Sequence, residues 1–344
     1  MKVAILVPNF SEYSGDARVA ELQAEDYIRD GHDVTIFTLN ADIHPQRAKL
    51  EVMGMPKNLF FERIYRLILP LDIFKTVPWV KKIGSCDMVV SHNYPMNWFA
   101  TLAKWRYEIK YIFWYHGIPE PDLYPNLHER IYLKLFIYLT GLTAKNADRI
   151  SSVSQYARHE LHKYANLNSE VVYNKANLNR FSNDIDGSSI RSKYSIGDSP
   201  VILNVGRVCP QKGAHLLIRA FNIVKKEIPE AKLIIVGKHT YDYYSDQIKS
   251  MGDESVIFAN YVSDSDLPLY YASCDIYATC SLWETFNIPI AEAQACGKPV
   301  VAFDIGPHSE IVNSNGVLIE RESIEKFAEA CIMEIKQVRG DNYG

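Results

Sequence analysis

Short apolar runs recur along the chain, each followed by a longer stretch whose apolar residues return at helical spacing. In the first half the runs fall at 3–7, 34–39, 88–91, 111–115, 150–153 and 171–173. In the second they fall at 201–205, 233–236, 256–258, 276–279, 300–303 and 317–319. Strands that are apolar throughout are buried on both faces, so this pattern predicts parallel sheets covered by helices on each side. The polar stretch Ser182-Asn183-Asp184-Ile185-Asp186-Gly187-Ser188-Ser189 has little to bury, and a second polar patch follows at 195–199. Together they predict a linker at 182–199 between a first domain, 1–181, and a second, 200–344. The expected fold class is α/β, with two Rossmann-like doubly wound domains. Ligands of such sheets sit beyond the carboxyl ends of the strands, so two sheets facing a central cleft would share one site.

Composition agrees with two domains. The chain has 344 residues, and single cores seldom grow past roughly 250–300. With 47% hydrophobic and 23% charged residues it is too apolar to be disordered. A net charge of −4 argues against nucleic acid as a partner. The six cysteines contain no Cys-x-x-Cys pair and lie near no histidine cluster, which suggests neither a zinc site nor a disulfide framework. A reducing, cytoplasmic location follows. Met1-Lys2 runs straight into the apolar run at 3–7, as a first strand does and a signal peptide does not. No apolar stretch reaches the roughly 20 residues of a membrane span.

Candidate chemistry concentrates in the second half. Glu284 and Glu292 flank a predicted helix start, with Asn287 at the cap position, Pro289 in the first turn and Gly297 at the end. Backbone amides at that start would form an anion site. The alternative makes Glu292 an ordinary acid complementing the helix dipole. Gly206-Arg207-Val208-Cys209-Pro210-Gln211-Lys212-Gly213 follows the run at 201–205. Two cations there suit a diphosphate, Arg207 as a fork and Lys212 as a point charge, or they are surface charges on a solvated loop. In the first half, Ser14-Gly15-Asp16-Ala17-Arg18 follows the first run, and His92 and His116 stand at run ends.

Taken as an ordered set, these elements resemble the retaining glycosyltransferases of family 4, the glycosyl transferases group 1 type with the GT-B fold. The set comprises the Gly-Arg…Lys-Gly loop, Glu284-x7-Glu292, the turn Ala295-Cys296-Gly297-Lys298-Pro299 and the later Glu310-Ile311-Val312…Asn315-Gly316. The resemblance implies transfer of a sugar from a nucleoside diphosphate, of UDP or GDP type, to a hydroxyl. The acceptor class it implies is a glycan or lipid-linked glycan of a cell-surface polymer or glycoprotein pathway. Arg207 and Lys212 would grip the diphosphate, Glu284 the transferred sugar and Glu292 the ribose. Backbone amides from Phe286 through Asn287 and Ile288 to Ile290 would line the pocket. Gly15 would let the backbone approach the leaving diphosphate, and His116 would face the sugar. Reaction on one face needs no protein nucleophile, because the leaving phosphate helps deprotonate the acceptor. Neither a cofactor nor a metal is implied: Asp184-Ile185-Asp186 lies in the linker, and Asp264-Ser265-Asp266 reads as a helix start.

The chain departs from the family pattern in places. Asn287 and Asn260 stand where glycines are usual, and Gly237-Lys238-His239 replaces Gly-x-Gly near the expected nucleobase loop. The rival reading of another class is a non-catalytic GT-B subunit, a scaffold or glycan-binding partner, which the presence of all four charged residues disfavours. A dinucleotide oxidoreductase is disfavoured because no Gly-x-Gly-x-x-Gly follows the first run.

From Lys57 to Lys82 six Lys/Arg face two Asp/Glu, amid Phe60, Phe61, Tyr65, Phe74 and Trp79. This is either a basic amphipathic segment for an anionic membrane surface, the inner face in a cytoplasmic protein, or a core-packing helix with a solvated basic side. The apolar helix predicted at 127–144, with Ile131, Leu135, Tyr138 and Leu139, reads as internal packing. A last helix is expected at 323–338, where the family usually has a longer one.

Overall fold

The computed structural model describes residues 1–11, 14–56, 58–121, 126–178 and 180–340, with the side chains of Leu59 and Phe60 outside the description. The chain forms two compact units, Met1–Asn174 and Lys175–Gly344.

The first unit holds β1 (Lys2–Phe10), α1 (Gly15–Arg29), β2 (Asp33–Ala41), β3 (Lys49–Val52), α2 (Leu59–Ile68), α3 (Ile73–Ile83), β4 (Met88–His92), α4 (Met96–Tyr107), β5 (Lys110–Tyr115), α5 (Leu127–Ala144), β6 (Arg149–Ser152), α6 (Gln155–Ala165) and β7 (Glu170–Val171). Its sheet runs β3-β2-β1-β4-β5-β6-β7, and every described pairing is parallel. β1 lies centrally, and Val3 to Val7 are fully buried, as two-sided cover by helices requires. The strand continues past Pro8, which the register passes over: Val7 pairs with Thr38 and Asn9 with Asn40. Proline has no N–H to give, so the ladder skips it without ending. β3 has no apolar run because it is the edge strand, and its Lys-Leu-Glu-Val sequence is half-buried to exposed.

The second unit holds α7 (Ser188–Lys193), β8 (Val201–Val205), α8 (Ala214–Glu227), β9 (Lys232–Val236), α9 (Asp242–Met251), β10 (Val256–Asn260), α10 (Leu267–Ser273), β11 (Ile276–Thr279), α11 (Ile288–Ala295), β12 (Val300–Phe303), α12 (His308–Ile311), β13 (Gly316–Ile319) and α13 (Ile324–Arg339). Its sheet runs β10-β9-β8-β11-β12-β13, again parallel. One core cluster gathers Leu217, Phe221, Phe303 and Phe327. The other gathers Tyr270, Tyr271, Tyr277 and Ile290, together with Phe181, Ile190 and Ile196. Residues 181–196 therefore add three apolar anchors to this unit. α13 is tied to it by Arg339, whose Nε and Nη2 donate to Asp275 at 2.7 and 3.0 Å. The same carboxylate accepts from Arg191 at 3.1 Å and from the Val201 amide at 2.7 Å.

α5 is packed opposite to expectation. Leu127, Ile131, Leu135, Tyr138 and Leu142 are exposed, whereas Ile137, Thr140, Thr143 and Ala144 are buried. The inward threonines satisfy themselves: Thr140 and Thr143 donate to the carbonyls of Phe136 and Leu139 at 2.8 and 2.7 Å. From α4, Thr101 donates to the Thr143 carbonyl at 3.0 Å. Small hydroxyl side chains that donate to helix carbonyls let the two helices approach closely. No helix among the described residues is long and apolar enough to cross a membrane.

Candidate functional site

In the second unit the predicted residues collect beyond the carboxyl ends of β8, β11 and β12. Arg207 follows β8, is exposed and has no ion pair among the described residues. Lys212 ends the short 3-10 turn Pro210–Lys212, and Gly213 beyond it has φ +68°. A Cβ on Gly213 would lie 1.9 Å from the Cys280 carbonyl oxygen, so only glycine lets this turn press against the strand end. The Leu282 amide donates to the Gln211 carbonyl at 2.8 Å and closes the contact. The result places Lys212 Nζ 2.5 Å from Glu284 Oε1, with the carboxylate side chain 8% and the lysine 26% exposed. A half-dry ion pair of this kind holds charge in a fixed place.

Asn287 occupies the cap position of α11 with φ 75° and ψ 70°, and its side chain makes no capping hydrogen bond. Its amide turns instead to His308, with Nδ2 3.0 Å from Nε2. His308 Nδ1 lies 2.7 Å from the Phe303 carbonyl oxygen. Burial depresses the His308 pKa, while Glu284 and the Phe303 carbonyl raise it, so the ring is neutral at pH 7. Glu292 is 1% exposed and accepts from the Tyr271 hydroxyl at 2.8 Å. It therefore lies inside the unit, whereas Glu284 lies at its rim. Tyr277 is buried near both, and its pKa is pushed well up by burial, then by Glu284 and Glu292. Phe286 is buried and Ile288 half-buried at the helix start. Past the ends of β9 and β10 a cavity of about 540 Å³ is lined by Lys238, His239, Asn260 and Tyr261 on one side and α9 on the other.

In the first unit the strand ends bring together neutral groups. His92 Nδ1 and His116 Nε2 are 2.7 Å apart, with ring centroids 5.0 Å apart and nearly parallel. Burial drives both pKa values down; His116 depresses His92 further, and Asp16 opposes the shift on His116. Gly15 opens α1 next to Asp16. A cavity of about 230 Å³ beside them is lined by Asn9, Asp16, Arg66, Asn93, Gly117 and Tyr132, among others. Arg66 does not point to solvent as a basic amphipathic face would require. It donates to Glu62 at 2.7 Å and Asn9 at 2.9 Å. Lys57 and the side chain of Phe60 lie outside the described residues. Among the described residues no group of three or more His, Cys, Asp or Glu side chains is placed to hold a metal ion. Asp186 instead accepts from Ser188 in a turn, and Asp264 pairs with Arg180 at 3.3 Å.

Residues 187–337 match the family described as Glycosyl transferases group 1, and residues 13–180 match Glycosyltransferase Family 4. The chain belongs to the family 4 glycosyltransferases. It is 26% identical over 331 residues to the uncharacterized glycosyltransferase MJ1607 of Methanocaldococcus jannaschii, covering 89% of this chain and 81% of that one. It is 28% identical over 199 residues to the GDP-mannose-dependent alpha-(1-6)-phosphatidylinositol monomannoside mannosyltransferase of Mycolicibacterium smegmatis, covering 54% of this chain and 52% of that one. Anabaena Alr3699/HepE, solved in complex with UDP and glucose, superposes with a TM-score of 0.78 at 20% identity, covering 98% of this chain and 95% of that one. The likeness to HepE is one of fold. For this glycosyltransferase the sequence reading missed His308, Tyr271 and the His92–His116 contact. His308 has no neighbour in the sequence that suggests a role, because its partner Asn287 is 21 residues away. A tyrosine in a short helix carries no signal of its own.

Proposed function

We propose that this chain is a retaining, metal-independent glycosyltransferase that moves a sugar from a UDP or GDP sugar to a hydroxyl of a glycan or lipid-linked glycan. The observation that carries this reading is the Lys212–Glu284 pair at 2.5 Å, with the exposed Arg207 on the same loop after β8. In the transition state the sugar gains positive character and the diphosphate leaves with negative charge. Fixed cations stabilise the leaving group without reorganising, which is where most electrostatic catalysis arises. Arg207 and Lys212 do the work that a divalent ion does elsewhere. Glu284, held by Lys212, receives hydroxyls of the transferred sugar, and Glu292 serves the ribose. Amides of Phe286, Asn287 and Ile288 line the pocket. The GDP-mannose dependence in the mycobacterial relative's name and the UDP bound to HepE support the two donor types. The base is assigned to the cavity at Lys238 and Asn260.

The membrane surface is the second part of the proposal. Phe61, Ile64, Ile68, Leu71, Ile73, Phe74 and Val77 are exposed along α2, α3 and the turn between them, and α5 adds its outward stripe. Lone exposed apolar residues are ordinary, but a contiguous set with exposed lysines suits an anionic lipid surface. Lys82 is engaged with Glu51 at 3.0 Å, and Arg66 is turned inward, so apolar insertion carries more of this reading than charge.

A panel of donors including UDP-glucose and GDP-mannose, with mass detection of the released nucleotide, tests the activity. EDTA leaves turnover intact if Arg207 and Lys212 act as proposed; loss restored only by magnesium or manganese contradicts it. Anomeric coupling in the product reports retention. Co-sedimentation with anionic liposomes, lost in Phe74→Ser with Ile73→Ser, supports the surface, and equal recovery without lipid rejects it.

A further inference from the structure

The hydrogen bonds around Asn287 fix which way its amide faces. His308 is fully buried, and its Nδ1 lies 2.7 Å from the Phe303 carbonyl oxygen, which can only accept. Nδ1 therefore carries the proton. A second proton on the ring is disfavoured by burial, so Nε2 is a bare acceptor. The Asn287 atom 3.0 Å from Nε2 must then be the Nδ2 donor. That leaves Oδ1 at the opposite corner of the planar amide, turned away from the His308 ring. Oδ1 has no hydrogen-bond partner among the described residues, and it is not among the sealed, unpaired polar atoms.

The backbone makes this placement stable. At φ 75° the residue is left-handed, a conformation asparagine tolerates better than most side chains. Asn287 stands at the start of α11, with the buried His308 ring against its amide.

We infer that Asn287 is a specificity-determining residue whose Oδ1, oriented by His308, accepts a hydrogen bond from a hydroxyl of the donor's transferred sugar. This rests on the proposed nucleotide-sugar site. His308 is a positioning residue that touches no substrate; it acts by excluding the flipped amide, which would offer a donor instead. An amide held one way around distinguishes a hydroxyl in reach from one pointing elsewhere, because the mismatch leaves a polar group unpaired.

Two measurements test this independently. Nitrogen-15 spectra of histidine-labelled protein, with His308→Gln to assign the ring, should show His308 as the neutral Nδ1–H tautomer; the Nε2–H form or a doubly protonated ring at pH 7 overturns the orientation. Calorimetry with UDP and UDP-glucose, and turnover of UDP-glucose against UDP-galactose and GDP-mannose, reads the specificity. In Asn287→Gly the ratio of UDP-glucose to UDP affinity, or the preference among sugars, should fall about tenfold. His308→Leu should fall alike, and His308→Gln, whose Oε1 accepts from Nδ2, should recover most of it. Unchanged ratios in Asn287→Gly overturn the inference while the donor site stands. A wild-type chain that binds none of these compounds removes the donor site and the inference with it, whatever the tautomer.

Discussion

The two sheets have the same strand order around their central strands, β3-β2-β1-β4-β5 in the first unit and β10-β9-β8-β11-β12 in the second. Both place their candidate residues beyond the carboxyl ends of the strands, as the topology dictates. The chemistry there differs. The second unit presents a fixed ion pair, Lys212 with Glu284, and an exposed cation, Arg207, with no ion pair among the described residues. The first presents two neutral, touching histidines and a mixed cavity, where Asp16, Arg66, Asn9 and Asn93 stand beside Tyr94, Tyr132 and Phe136. Topology sets where a site can form, and loop residues decide what it can do. A site built on fixed cations suits a diphosphate; one that mixes amides, aromatic rings and single charges of both signs suits hydroxyl-bearing rings.

The sharpest break in this comparison is removal of the charges. Lys212→Ala or Glu284→Ala should lower transfer at least ~100-fold, measured as released nucleotide, with the fold retained by circular dichroism. His116→Ala should lower it less, because it removes a neutral group; the reverse order would move the chemistry to the first unit.

Next in size are two glycines with similar backbone angles and different surroundings. Gly213 at φ +68° has the Cys280 carbonyl in the way of any Cβ, whereas Gly31 at φ +84° has nothing within 4 Å. Gly31→Ala should cost about 1–2 kcal/mol, the left-handed penalty alone. Gly213→Ala should cost about 3 kcal/mol or more, since a backbone atom must also move. Urea denaturation separates them, and equal losses would mean that the turn carrying Lys212 is not pinned.

The histidine pair gives a smaller, signed effect. Both folded pKa values are depressed below the unfolded value near 6.5. Below that pH the unfolded state binds protons that the native pair refuses. Stability is therefore full above about pH 6.5 and falls as the pH drops toward the depressed native values. His92→Phe should flatten this acid slope in chemical denaturation; an unchanged slope would mean that the pair does not titrate as the geometry requires. Smallest of all is Arg63→Ala. Its contact with Glu129 is 3.5 Å long and the arginine is 58% exposed, so stability should change by less than about 0.5 kcal/mol.

How much was legible beforehand depended on whether a residue's surroundings lay close to it in sequence. Each apolar run lies in or overlaps a strand, because burial on both faces leaves a continuous apolar signature. β3 left none, since an edge strand buries too little. The order of Gly206-Arg207, Lys212-Gly213, Glu284 and Glu292 pointed to the family because helix starts and tight turns are local devices with local residue requirements. The helix start at Asn287 was readable for the same reason. Its side chain was not, because the partner, His308, is 21 residues away.

α5 shows the limit most clearly. Its most regular apolar stripe runs through Ile131, Leu135 and Tyr138, and periodicity alone assigns that stripe to the core. The structure turns it outward and packs threonines inward, because Asn97 and Thr101 on α4 offer a close, hydrogen-bonded seat that large apolar side chains would not fit. Every strand but β3, the family and the charged residues could be read from the chain alone, because they follow from local propensity, burial period and motif order. Tertiary packing settled which face α5 presents, that Lys212 meets Glu284, that Arg66 turns inward and that Asn287 meets His308. Each of those is a contact between residues far apart in the chain, and its energy depends on distances that no local pattern encodes.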